Sequence, residues 1–257
     1  MGLTHPPRPM GPAALSWGCL PSPRAYPQQV RVETGDLLSA PGQLVMRPRP
    51  LRRARSAPSI LRAVTHIPRP AAARLKPVDP GPLEGSELAE ALAKTLIRDG
   101  QVLNIMGTLA HHPTLLKRFN ALGGVFLAHG LLPAREREIV ILRVGWNCRS
   151  VYEFGQHTLL GRDAGLSDED IAALATTRAG GRSWSADDEA LIALADEICA
   201  DDCVGDATFA ALRRRWNDAE LVELVALAGF YRMVSGFLNS LGVEPEPGLP
   251  GWPPSAA

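Results

Sequence analysis

Prolines are distributed very unevenly along this 257-residue chain, and their placement limits what each part can fold into. Sixteen of the 23 prolines lie at or before Pro82, whereas only Pro113 and Pro133 fall between residues 83 and 244. Because proline fixes its φ angle and lacks an amide hydrogen, closely spaced prolines prevent regular helices and sheets. Regular structure is therefore expected mainly after residue 82.

Charge changes at nearly the same place. Residues 1–76 hold 12 of the 27 Lys and Arg residues but only two acidic ones, Glu33 and Asp36, which gives this part a net charge of +10. The rest carries −10, since the whole chain is neutral. We expect a disordered Pro/Arg-rich arm over residues 1–65, a folded domain over 66–247 and a flexible tail over 248–257. The arm has no interleaved aromatic residues or known binding module, so we expect no specific nucleic-acid partner.

The apolar runs and the cysteines indicate the cellular compartment in which the protein is expected. No uninterrupted apolar stretch approaches the roughly 18–20 residues that span a bilayer, so no membrane partner is expected. The four cysteines, Cys19, Cys148, Cys199 and Cys203, are too few and too irregularly spaced for a disulfide framework. We expect a cytoplasmic protein in which Cys199 and Cys203 are ordinary packed residues.

The pattern after Leu83 is helical throughout and predicts an all-α domain of seven to eight helices. Leu88, Leu92, Leu96 and Ile97 predict one face of a first helix that Gly100 ends. Pro113 and Pro133 are well placed to begin two further helices. Other helix starts are indicated by an N-cap residue with an acid three positions later, at Ser167 and Asp170, Ser185 and Asp188, and Asn217 and Glu220.

The last predicted helix, from about Ala219 to Leu241, is apolar on more than one side. Such a helix must be covered on both sides. A helical domain of this size leaves few elements to cover it, so we expect a homo-oligomer.

Three titratable residues form the pattern that is most informative about chemistry. Glu153 and His157 are spaced i, i+4 and lie on the same helix face. If the chain reverses near residues 146–148, an antiparallel helix pair brings Glu138 opposite them. Such a cluster can perform acid–base catalysis, because burial and neighbouring charges move pKa values towards neutrality. Alternatively, Glu138 pairs with Arg137 or Arg143, and His157 only fills space.

Several segments resemble the carboxymuconolactone decarboxylase and alkylhydroperoxidase AhpD-like family over roughly residues 83–247. The similar segments are residues 135–143 (REREIVILR), 152–157 (YEFGQH), 164–171 (AGLSDEDI), Asn104, His112-Pro113 and 239–243 (NSLGV). The resemblance implies an all-helical, AhpD-like domain. It also implies a homo-oligomer, which is a dimer, a trimer or a hexamer.

The redox branch of that family has a Glu, eleven residues, Cys-x-x-Cys, three residues and a His. Aligned on His157, this pattern places its glutamate at Glu138 and its two cysteines at Ser150 and Glu153. The acid and the histidine are present, but both thiols are absent. A register based on Cys148 puts Val151 at the second cysteine and Gly155 at the histidine, so we reject it.

These observations predict a cofactor-free acid–base enzyme, like a carboxymuconolactone decarboxylase, that acts on a small carboxylate or lactone. His157, Glu153 and Glu138 are the predicted catalytic residues, and Tyr152 and Ser150 the predicted substrate-binding residues. We expect no metal and no cofactor. A thiol-dependent AhpD-like peroxidase is disfavoured because it lacks the CxxC pair. A non-catalytic helical oligomer is the third alternative, favoured if no groove lies beside His157.

Overall fold

A computed structural model describes residues 16–17, 67–79, 86–92, 94–98, 100–176 and 182–254 of the chain. Nine helices lie within these ranges, and the all-α class is confirmed. Four of them have only six or seven residues. The helices are α1 (Glu87–Leu92), α2 (Asn104–Leu109), α3 (Pro113–Ala128), α4 (Ala134–Asn147), α5 (Val151–Asp163), α6 (Asp168–Leu174), α7 (Ala186–Asp201), α8 (Asp206–Leu212) and α9 (Asp218–Leu241).

All nine helices belong to one unit of the chain, which comprises Met1–Cys19 and Arg69–Ala257. A second unit, Leu20–Pro68, lies outside the described residues except for Ile67 and Pro68. The arm predicted for residues 1–65 likewise lies outside them, apart from Ser16 and Trp17.

The first predicted helix is shorter than expected and is followed by a small sheet. Helix α1 ends at Leu92, and Leu96–Arg98 forms a strand (β2) between β1 (Ser16–Trp17) and β3 (Gln101–Val102). Both pairings are antiparallel. Gly100, expected to stop a helix, lies in the β2–β3 turn with a φ of 77°, a conformation that glycine adopts without strain. Local hairpin geometry therefore overrides the helical spacing of Leu96 and Ile97.

The predicted helix starts are confirmed by their caps. Ser167 and Asp170 form a capping box at α6, and Asn217 and Glu220 form another at α9. Ser185 accepts a hydrogen bond from the Asp188 amide, but the Asp188 carboxylate pairs with Arg135 at 2.8 Å. These bonds satisfy amides that a helix start would otherwise leave unpaired.

Helix α4 is the centre of the core and packs against α5, α7 and α9. Its apolar residues are completely buried, namely Ile139, Val140, Ile141, Leu142 and Val144. Arg143 is only 2% exposed, and its guanidinium binds Asp196 and the carbonyl oxygens of Leu174 and Thr176. Since Arg143 connects α4 to α6 and α7, it is not available to pair with Glu138.

Helix α9 is the one helix in the described ranges that is long and apolar enough to cross a bilayer by length and composition. Half of its most apolar window is buried inside the protein. A central helix of a globular core passes the same test, and α9 packs against α4, α5 and α7 in this way.

The described part of the C-terminal segment lies against α4 and α5. The ring of Trp252 is 5.2 Å from that of Trp146 and 5.0 Å from that of Phe154. A Cβ atom at Gly155 would stand 2.3 Å from the carbonyl oxygen of Pro250, so only glycine permits this approach. The flexible tail over residues 248–257 stays a prediction.

Candidate active site

A sharp turn between α4 and α5 brings the three predicted catalytic residues together. Helix α4 ends at Asn147, Arg149 adopts a left-handed conformation with a φ of 53°, and Ser150 begins α5. The two helices then run antiparallel in close contact. Glu138 consequently faces Glu153 and His157, in the arrangement that their spacing predicts.

His157 bridges the two carboxylates. Its Nδ1 lies 2.6 Å from Oε2 of Glu138, and its Nε2 lies 3.0 Å from Oε1 of Glu153. All three residues are buried, at 4% exposure or less. Both ring nitrogens therefore have a hydrogen-bond acceptor, which is the pattern that a protonated imidazole satisfies.

Arg137 completes the charge balance of this cluster. Its Nε donates to Oε1 of Glu138 at 2.9 Å, and its guanidinium also donates to the carbonyl oxygen of Leu127. The alternative expectation of a Glu138–Arg137 pair is thus correct, but the pair coexists with the bond to His157. Two carboxylates, one guanidinium and one imidazolium sum to zero, so burial of the cluster leaves no net charge.

The pKa of His157 reflects this environment. Burial lowers it, but the charge of Glu138 and hydrogen bonds to Glu138 and Glu153 outweigh burial and raise the pKa from 6.5 to about 9. His157 is therefore protonated at neutral pH and can serve as a proton donor.

Tyr231 of α9 covers the other side of the imidazole. The two rings meet edge to face, with centroids 4.9 Å apart and an interplanar angle of 86°. Burial and the charges of Glu153 and Glu138 raise the pKa of Tyr231 well above its usual range, so its hydroxyl stays neutral. Sequence spacing gave no sign of this contact, because Tyr231 is 74 residues from His157.

A small cavity of about 60 Å³ adjoins the cluster. Its walls are mainly apolar and come from α2, α3, α5 and α9 together with Leu103. The polar side chains in the wall are Asn120, Tyr152, Glu153, Gln156, His157 and Tyr231. A water needs about 10–15 Å³ of such space, so the cavity holds a few waters or the reacting part of a small molecule.

Tyr152 and Gln156 connect the cavity wall to the C-terminal segment through Glu246. Tyr152 donates to one Glu246 oxygen at 2.7 Å, and Gln156 donates to the other at 2.5 Å. The backbone N–H of Asn104 also donates to this carboxylate. Burial and the charge of Glu246 raise the pKa of Tyr152 well above its usual range. Tyr152 thus lines the cavity as predicted, but its hydroxyl hydrogen is already engaged.

Ser150, the other predicted substrate-binding residue, does not line the cavity. It occupies the N-cap position of α5 and is completely buried. Its hydroxyl oxygen has no hydrogen-bond partner within the described residues. The geometry therefore gives Ser150 a place in the turn rather than in the cavity wall.

None of the residues that line this cavity is a cysteine. Cys148 instead lies near Cys199 of α7, with the two sulfur atoms 3.9 Å apart. Cys203, expected to be a packed residue, is exposed.

Metal binding finds no support in the parts of the chain that the structure describes, which contain no suitable group of three or more His, Cys, Asp or Glu residues. Both nitrogens of His157 already face carboxylates.

Comparisons with known proteins agree with the all-helical fold. The sequence model of the carboxymuconolactone decarboxylase family matches residues 113–196, which include Glu138, Glu153 and His157. No curated protein matches the sequence. The fold and site thus define an all-helical, AhpD-like domain, in which residues 113–196 are similar to the carboxymuconolactone decarboxylase family.

Solved structures share this fold at low sequence identity. The alkylhydroperoxidase AhpD core of an uncharacterized peroxidase-related protein from Ralstonia eutropha JMP134 is 22% identical, with a TM-score of 0.58 over 68% of this chain and 93% of that chain. An uncharacterized peroxidase-related protein from Silicibacter sp. TM1040 is 18% identical, with a TM-score of 0.53 over 58% and 79%. A cysteine-to-alanine variant of the debrominase Bmp8, in complex with 2,3,4-tribromopyrrole, is 13% identical, with a TM-score of 0.53 over 67% and 91%.

Proposed function

We propose that this protein is a cofactor-free acid–base enzyme of the carboxymuconolactone decarboxylase-like class, acting on a small carboxylate or lactone. The observation that carries the proposal is the position of His157, held between two buried carboxylates in the wall of a mainly apolar cavity. The presence of this cavity favours an enzyme over a non-catalytic helical scaffold.

Decarboxylation of a lactone acid suits these residues. Loss of CO2 leaves an electron pair that the lactone carbonyl delocalises as an enolate. The proton shared by His157 Nε2 and Glu153 Oε1 then passes to the carbon, and the pair regains a proton from solvent. Each turnover converts one carboxylate and one proton into CO2 and a C–H bond. Glu138 keeps His157 protonated and fixes its ring orientation through Nδ1.

The cavity wall restricts the substrate. His157 is its one cationic side chain among the described residues, so a substrate carboxylate has a single charged partner there. The side-chain nitrogen of Asn120 donates to the Lys94 carbonyl oxygen, so the hydrogen-bond acceptor of this side chain, Oδ1, is not used in that contact. This buried oxygen has no donor within the described residues. A hydroxyl group on the substrate would supply the missing hydrogen bond. We therefore propose a small, mainly apolar molecule with one carboxylate or lactone group and one hydroxyl group.

Peroxidase chemistry of the two-cysteine type has weaker support at this site. It needs a thiolate to attack the peroxide and a second thiol to resolve the sulfenic acid. The matching positions are Ser150 and Glu153, and no cysteine lines the cavity.

The test is to assay small lactone acids for CO2 release and then compare variants with the active substrate. His157→Ala should lower kcat by about 100- to 10,000-fold, the usual contribution of an acid–base group. Glu153→Gln should have nearly the same effect, because it keeps the shape and removes the charge. Ser150→Ala, a control on the same segment, should lower kcat far less. Turnover by His157→Ala at the parental rate would overturn the acid–base role.

We further propose that the protein is a homo-oligomer. Val222, Val225 and Met233 of α9 are 71%, 37% and 50% exposed, and Leu115, Leu122 and Val125 of α3 are each 46% exposed. Large apolar side chains grouped on helix surfaces are typical of subunit interfaces.

A further inference from the structure

Cys148 and Cys199 form a thiol pair that the proposed acid–base chemistry does not use. Cys148 caps the C-terminus of α4, and Cys199 lies in the last turn of α7, 51 residues later. Their sulfur atoms are 3.9 Å apart, and both residues are partly exposed. A disulfide bond is about 2.05 Å long, so the sulfurs must approach each other by less than 2 Å to bond.

The backbone of Cys148 is held firmly in this position. Its carbonyl oxygen accepts hydrogen bonds from the guanidinium of Arg69 at 2.8 Å and from the side-chain amide of Asn239 at 2.9 Å. These bonds come from the segment before α1 and from α9. The pair therefore lies where separate parts of the fold meet.

The two thiols differ in their environments. The hydrogen bond with Cys199, together with the charges of Arg232 and Arg69, lowers the pKa of Cys148 despite burial. The same hydrogen bond, with burial and the negative charge of Cys148, raises the pKa of Cys199. The lower pKa favours Cys148 as the nucleophile of the pair and Cys199 as the thiol that then attacks the mixed disulfide.

We propose that Cys148 and Cys199 are a reversible disulfide site that small-molecule disulfides oxidise. This inference does not rest on the proposed function. The Cys148 thiolate attacks one sulfur of the small disulfide, which forms a mixed disulfide and releases one thiolate. Cys199 then loses its proton and attacks the Cys148 sulfur, which releases the second thiolate. The overall reaction converts two protein thiols and one small disulfide into one protein disulfide and two small thiols.

The Cys148–Cys199 disulfide would link the α4–α5 turn covalently to α7. Cys148 is two residues before Ser150, where the helix that carries Glu153 and His157 begins. A disulfide that closes a loop of this length constrains the unfolded chain, so the oxidised protein should unfold at a temperature about 5–10 °C higher.

The experiment incubates the full-length protein in buffers with graded ratios of oxidised to reduced glutathione, followed by alkylation of free thiols and peptide mapping. Digestion must cut at aspartate as well as arginine, because Asp201 and Asp202 separate Cys199 from Cys203. We expect a cross-linked Cys148–Cys199 peptide that reduced glutathione reverses. We also expect the rise in unfolding temperature.

Single variants test the pair and its roles. Cys148→Ser and Cys199→Ser should each abolish the cross-link and the thermal shift, while the control Cys203→Ser should retain both. Cys199→Ser should also trap glutathione on Cys148, whereas Cys148→Ser should leave Cys199 unmodified. Alkylatable thiols at both positions in the most oxidising buffer, or a cross-link through another cysteine, would overturn the proposal. Glutathione trapped on Cys199 instead would overturn the assignment of Cys148 as the nucleophile.

Discussion

Replacing Glu138 with Gln tests whether the carboxylates control the protonation of His157. The pKa of His157 rises from 6.5 to about 9 in the folded protein, a difference of about 2.5. At about 1.36 kcal/mol per pKa unit, this difference corresponds to about 3 kcal/mol in favour of the charged imidazole. Glu138 supplies the largest favourable contribution, and burial opposes it. Glu138→Gln should therefore lower the pKa of His157 by more than about 1.

The difference between the ordinary pKa of histidine and the pKa of His157 in the folded protein also predicts how stability depends on pH. A histidine whose pKa is raised by folding stabilises the protein fully below pH 6.5, and the stabilisation is lost as pH rises through about 9. As the pH rises from 6 to 10, loss of the His157 proton should thus lower the free energy of unfolding by about 3 kcal/mol. In Glu138→Gln most of this dependence should disappear.

NMR titration of the histidine ring signals measures the pKa directly, and the signal missing from His157→Ala assigns the resonance. Denaturant unfolding at pH 6 and pH 10 measures the stability. Glu136→Gln is the matched control, because Glu136 is also a buried carboxylate on α4 but pairs with Arg215. A His157 midpoint near 6.5 in the parent protein, or one that Glu138→Gln does not change, would refute the reasoning.

Three further predictions concern the core, the thiols and the assembly. Arg143→Met should reduce the free energy of unfolding by about 3–5 kcal/mol in denaturant titrations, because it removes the donor of two carbonyl oxygens and the charged partner of Asp196, which keeps only the bond from Asn147. A loss below 1 kcal/mol would contradict this. The protein should show no appreciable turnover of an alkyl hydroperoxide with a dithiol reductant, and efficient turnover abolished by Cys148→Ser would show that our register is wrong. Light scattering at micromolar concentration should report an oligomer, and Val222→Glu on the exposed face of α9 should weaken it; a monomeric parent protein would argue against assembly.

The sequence alone was sufficient to predict the features that depend on neighbouring residues. The all-α class follows from apolar periodicity, and the helix starts follow from Ser167, Ser185 and Asn217, because a cap acts over only three residues. The shared face of Glu153 and His157 follows from the pitch of a helix. Glu138 could be placed opposite them because a short turn between two helices leaves them few ways to pack.

The tertiary structure determined the contacts between segments that are distant in the chain. Tyr231 and Glu246 reach the site from 74 and 94 residues beyond His157 and Tyr152, and Cys199 meets Cys148 across 51 residues. Local spacing carries no information about such contacts, because they depend on how whole helices pack around α4. The strand at Leu96–Arg98 depends on pairing with the neighbouring strand β3 and with the distant strand β1, and not on its apolar spacing. Sequence therefore defined the helix pair that carries Glu138, Glu153 and His157, while packing decided which side chains enclose it.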